Sequence, residues 1–123
     1  MEPLELVNHI ASALDDKQAR DIVIIDVENL VGYTSYFVIA SGRSERQVQA
    51  LIQNVRTSMK TQFDLMPLGV EGAQGGRWAL ADFGDAVVHV FREDERNFYD
   101  LEGLWSDAPR IEYTPTQQAD ALN

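Results

Sequence analysis

The chain has no cysteine. That absence removes disulfides, thiolate nucleophiles, iron–sulfur clusters and cysteine-held zinc together. No apolar run approaches the roughly 18–20 residues that a membrane span requires. Met1 to Leu14 contains Glu2 and Glu5 but no lysine or arginine, so neither a signal nor a transit peptide is expected there. Positive charge is scarce: 10 basic side chains stand against 20 acidic ones, a formal net charge of −10. No two basic residues are adjacent, whereas proteins that grip nucleic acid by its phosphates need clustered lysine and arginine. Little direct contact with RNA or DNA is expected. The imbalance is uneven, since residues 1–63 carry 6 basic and 8 acidic side chains and residues 64–123 carry 4 and 12. A basic protein partner suits that second half.

What is present points to one folded unit. With 123 residues, 45% hydrophobic and 24% charged, the chain can bury a core without a staple, and a soluble cytoplasmic domain is the expectation. Leu6, Ile10 and Ala13, with Val7, Ala11 and Leu14 beside them, predict a helix over Leu4–Lys17. The β-branched runs Asp21–Val27 and Tyr36–Ala40 read as buried strands. Ser44-Glu45-Arg46-Gln47 has the capping-box pattern. The helix it opens lines up Val48, Leu51, Ile52, Val55, Met59 and Phe63 on one face, and is long enough for a crossover between strands. Leu65–Val70 is a weak strand, directed to an edge because Pro67 withholds a ladder donor. Arg77–Asp82 and Asp85–Phe91 form a hairpin about Phe83-Gly84. Asp94 caps a last helix to about Leu104. The domain is expected over 1–107, with 108–123 as a polar, flexible tail holding Pro109 and Pro115. The class is α/β: a single domain with a mixed sheet flanked by helices.

Enzyme chemistry finds little support. Asp82-Phe83-Gly84 matches the kinase metal-binding tripeptide by letters, but the glycine-rich loop, strand lysine and catalytic-loop aspartate are missing. Ser41-Gly42-Arg43-Ser44 enters a helix where backbone N–H groups could hold a phosphate. It lacks the Gly-Lys-Ser/Thr ending of a P-loop and the spaced glycines of a dinucleotide fold, and a capped helix needs such residues anyway. Metal-assisted phosphoryl transfer needs converging carboxylates. The strand after that loop carries no Asp-x-Asp, and Asp26 and Glu28 precede the loop, where solvated strand ends account for them.

The hairpin is more informative. If Asp82 and Asp85 pair across the turn, Trp78 lies opposite His89 and Leu80 opposite Val87. One face then shows Trp78, Leu80, Asp82, Asp85, Val87, His89 and Phe91, and the other shows small aliphatic residues suited to a helix. A lone histidine there is most often structural. Trp beside His, bordered by acids, also fits an interface anchor, because tryptophan is enriched among binding hot spots. No serine or threonine stands out as a partner for His89, so a hydrolytic triad is unsupported.

Several strings occur in a telling order: Asp21-Ile-Val-Ile-Ile-Asp26, Tyr36-Phe-Val-Ile-Ala-Ser-Gly42, Ser44-Glu-Arg-Gln-Val48 and Gly69-Val-Glu-Gly72 come first. Trp78-Ala-Leu-Ala-Asp-Phe-Gly-Asp-Ala-Val-Val-His-Val-Phe91 and Phe98-Tyr-Asp-Leu-Glu-Gly-Leu-Trp105 follow. Over about residues 4–107 the chain resembles the ribosomal silencing factor, or Iojap-like, family. Ser35, Phe83 and Arg77 depart from the residues that family often has there, without breaking the pattern. The resemblance implies a nucleotidyltransferase-like fold without catalysis or cofactor. It implies binding to the large ribosomal subunit through its protein number fourteen, blocking the small subunit and lowering translation under nutrient limitation. Partner contacts are expected from Trp78, Asp82, Phe83, Asp85, His89 and Phe91, with Glu71 and Tyr99 beside them. A homodimer off the ribosome is also implied. The alternatives are a residual nucleotide binder of that fold, or a generic acidic homodimeric adaptor for another basic protein.

Overall fold

A computed structural model describes residues 1–113. In chain order the elements are α1 (Pro3–Asp16), β1 (Arg20–Asp26), α2 (Glu28–Val31), β2 (Tyr36–Gly42), α3 (Glu45–Phe63) and β3 (Gly69–Glu71). β4 (Trp78–Asp82), β5 (Ala86–Arg92), α4 (Glu93–Tyr99), α5 (Leu101–Leu104) and β6 (Arg110–Ile111) follow. The strands form one mixed sheet in the order β3-β4-β5-β2-β1-β6. β2 and β5 run parallel at its centre, and the other pairs are antiparallel. The parallel pair requires the crossover that α3 supplies.

α1 and α3 cover one face. Their apolar stripes meet Ile24, Val38, Ala40, Ala79, Ala81, Val88 and Val90 in the main core. The small residues of β4 let α3 lie close, as the alternation of the hairpin predicts. Ser44 caps α3 by accepting from the Gln47 amide at 3.1 Å, while the Gln47 side chain accepts from the Arg43 amide at 2.6 Å instead of closing the reciprocal box.

Four expectations need correction. The two-residue turn of the hairpin is Gly84-Asp85, closed by Phe83 N–H to the Ala86 carbonyl at 2.8 Å, and not Phe83-Gly84. Gly84 takes φ 88° there, a conformation open to glycine. The pairing therefore slips by two, so that Trp78 faces Phe91, Leu80 faces His89 and Asp82 faces Val87. A two-residue slip keeps every side chain on its face, and the two faces stand as read, apart from the turn residues. Second, the last helix is two helices, broken at Asp100, which adopts φ 47° and accepts from the Gly103 amide. Third, Arg92 and not Asp94 is the N-cap of α4, because the Asp94 carboxylate is held by the Arg92 guanidinium at 2.7 and 3.0 Å. Fourth, ordered structure runs past residue 107. Asp26 N–H donates to the Pro109 carbonyl at 2.9 Å, β6 pairs with β1, and Tyr113 packs against the main core. The rest of the expected tail, 114–123, lies outside the described residues.

Candidate partner-binding face

Among the described residues, the second face of the sheet is covered by short pieces: α2, α4, α5 and the segment leading to β6. Ile25, Val27, Phe37, Ile39, Val87, Phe91 and Ala108 form a smaller cluster there, with Trp78, Leu80, Leu101 and Trp105 half-buried at its margin. Short helices give thin cover, and apolar side chains remain outside it: Tyr33 is 63% exposed, Phe98 77% and Leu104 70%. Apolar groups gathered at one place on a monomer mark interaction surfaces.

Trp78 is the hub of this face. Its ring stacks on Phe91 at 4.8 Å between centroids, meets Tyr99 at 4.6 Å and lies 5.9 Å from His89. The indole N–H donates to His89 Nδ1 at 3.1 Å, so Trp78 and His89 are diagonal neighbours joined by a hydrogen bond. An accepting Nδ1 fixes the neutral tautomer with its proton on Nε2. That Nε2 is buried without a partner among the described residues. Burial pushes the imidazole pKa down to about 4. His89 is therefore an uncharged polar strut of an apolar platform, with Phe37 edge-on at 4.9 Å.

The other expected contact residues divide. Tyr99, carried by α4 and partly exposed, joins Trp78 and Phe91. Glu71 is exposed at the end of edge strand β3 and pairs with Leu80, which puts both on this face. Asp82 shares the face too, but its carboxylate accepts from the Gly84 amide at 2.8 Å and shapes the turn. Asp85 is exposed at the turn tip. Phe83 belongs elsewhere: it is buried in the helix-side core, because the corrected register turns it toward α1 and α3. The neighbouring loop also bears on Trp78. Gly72 sits at φ 76° so close to the Trp78 carbonyl that any Cβ would collide with it. Sequence reasoning did not single out the exposed Leu30, Tyr33 or Leu104, which sit in short helical or loop segments without periodicity.

The features that could have served phosphate chemistry are engaged within the protein. Ser44 and Gln47 occupy amides at the start of α3, and Asp26 accepts from the Glu28 amide at 3.1 Å. Among the described residues no group of three or more metal-ligating side chains converges, and no helix is long and apolar enough to cross a membrane.

A family profile described as "Ribosomal silencing factor during starvation" matches residues 1–123. The ribosomal silencing factor RsfS of Bacillus subtilis is 40% identical over 109 residues, covering 89% of this chain and 92% of that protein. The chloroplastic protein Iojap of Zea mays is 34% identical over 111 residues, 90% of this chain but 48% of the maize protein. A crystal structure of a Chromobacterium violaceum protein superposes with a TM-score of 0.83 at 34% identity, covering 93% of each chain.

Proposed function

This chain belongs to the ribosomal silencing factor family, and on that premise we propose that it binds the large ribosomal subunit through ribosomal protein number fourteen. Bound there, it stands where the small subunit would dock, and translation falls under nutrient limitation. The act is steric and requires no turnover. In this reading the fold is nucleotidyltransferase-like, kept as a scaffold. The observation that carries the proposal is the Trp78–Tyr99 pair, seated on the fully buried Phe91, with its exposed apolar rim. Such aromatic anchors dominate protein–protein binding energy. Glu71 opposite Leu80, Asp85 at the tip of the hairpin, and the surplus of acids after residue 63, suit a basic ribosomal protein and steer its approach. The working compartment is the cytoplasm. Off the ribosome, the same apolar rim supports pairing of two copies.

Sedimentation with purified large subunits tests this. The protein should comigrate with them in a sucrose gradient, and Tyr99→Ala should weaken binding about tenfold, or about 1.4 kcal/mol, while melting stays nearly unchanged. Trp78→Ala should weaken it at least as much, with some loss of melting temperature because His89 Nδ1 is left unpaired. A protein that stays at the top of the gradient, or a Tyr99→Ala variant that binds normally, would sink the proposal.

A further inference from the structure

A cleft of about 500 Å³ opens beside α4, bounded by the start of β1 and the end of β2. Arg96 lines it and is only 8% exposed. Its Nε donates to Glu102 at 2.8 Å and its Nη1 to the Ser41 hydroxyl at 2.7 Å, with the Arg20 carbonyl at 3.5 Å. Nη2, the remaining nitrogen of the fork, has no partner among the described residues and is not sealed from solvent. Glu93 lines the same cleft. Its Oε1 is buried without a hydrogen bond, because the Arg20 Nε stands 3.3 Å away as an ion pair without hydrogen-bond alignment. The irregularity in β1 adds to the wall: Asp21 takes φ 52° where the pairing register shifts, and bulges of this kind re-aim side chains.

One cationic donor, Arg96 Nη2, is thus left unused in the cleft, and the Glu93 carboxylate there is met by an ion pair with the half-exposed Arg20 but by no hydrogen bond. Buried polar groups normally find partners. A polyphosphate would meet three carboxylates, Asp21, Glu93 and Glu102, against two arginines. An apolar molecule would leave Arg96 Nη2 unpaired and Glu93 without a hydrogen bond, which is costly out of water. The complementary ligand is small and carries an anionic acceptor for Arg96 Nη2 close to a cationic donor for the carboxylates around it.

We propose that this cleft binds a free α-amino acid, its carboxylate on Arg96 Nη2 and its ammonium on Glu93. Asn97, at the mouth, supplies a further amide to the carboxylate. The site uses no residue of the Trp78 platform and stands whether or not the ribosome is the partner.

The test is titration of the full chain with each common amino acid to about 10 mM, read by amide NMR and by melting, since a ligand of the native state stabilises it in proportion to its occupancy. At least one amino acid should give saturable shifts at Asp21, Ser41 and Asn97 and raise the melting temperature. Its N-acetyl and its amide derivatives, each lacking one charge, should bind about tenfold more weakly or worse. Arg96 also ties α4 to β2, so Glu93→Gln and Asn97→Ala carry the mutational arm, and each should weaken binding without altering the melting of the free protein. Absence of any saturable shift overturns the proposal, as does equal binding by either derivative or by Glu93→Gln.

Discussion

The two faces of the sheet draw on the same apolar residue types and put them to different uses. On one side α1 and α3, 14 and 19 residues long, seal a cluster whose buried members include no ionisable group. On the other, α4 and α5, of 7 and 4 residues, leave half the platform at the surface. That thinly covered side also holds buried N–H groups without partners among the described residues, at His89 Nε2 and Trp105 Nε1. Cover, more than composition, separates the side that holds the fold together from the side available to a partner. Apolar area removed from water by the chain's own helices stabilises the monomer. Area left at the rim can contribute only when something else covers it.

The contrast can be broken first by cutting into the sealed side. Leu51→Ala, fully buried under α3, should cost about 2–5 kcal/mol and lower the melting temperature steeply. A loss no larger than that of Tyr99→Ala would erase the distinction. Acid probes the open side. His89 has a folded pKa of about 4 against 6.5 when unfolded, so between those values the unfolded chain binds the extra proton. Stability is then full above pH 6.5 and falls as pH drops toward 4, by up to about 3 kcal/mol from this group. Protonation would also put a donor on Nδ1 against the Trp78 N–H. Denaturant titrations at several pH values, on the parent and on His89→Leu, should show a flatter profile for the variant. Identical profiles would remove His89 from the account. The smallest effect should be that of salt, which acts on rim charges and therefore chiefly on rate. Association with the large subunit should slow several-fold as salt rises from about 0.05 to 0.3 M, and a rate indifferent to salt would reduce the acidic surplus to a solubilising role.

Much of this arrangement was legible in the sequence, for physical reasons. The long elements α1, β1, β2 and α3 announce themselves by periodicity. The faces of the hairpin were readable despite the misplaced turn, because a slip of two residues preserves sidedness. Phe83 was not, since its side depends on which residues form the turn. β6 has two residues and follows a proline, and it is held by a bond from Asp26 and by β1 pairing that no local pattern reveals. The break at Asp100 rests on a left-handed aspartate that caps its own chain, a conformation that asparagine and aspartate tolerate better than most. The Arg96 cleft joins positions 20, 41, 93 and 96, and only the folded sheet brings them together.

β3 and β6, the outermost strands, are three and two residues long. A protein that displays aromatic side chains for a partner runs the danger of adding strand to strand with its own kind, since long free edges template fibrils. Here the rows of unpaired backbone groups at both margins are too brief to seed such growth. Strand addition between copies is thereby disfavoured at both edges of the described sheet.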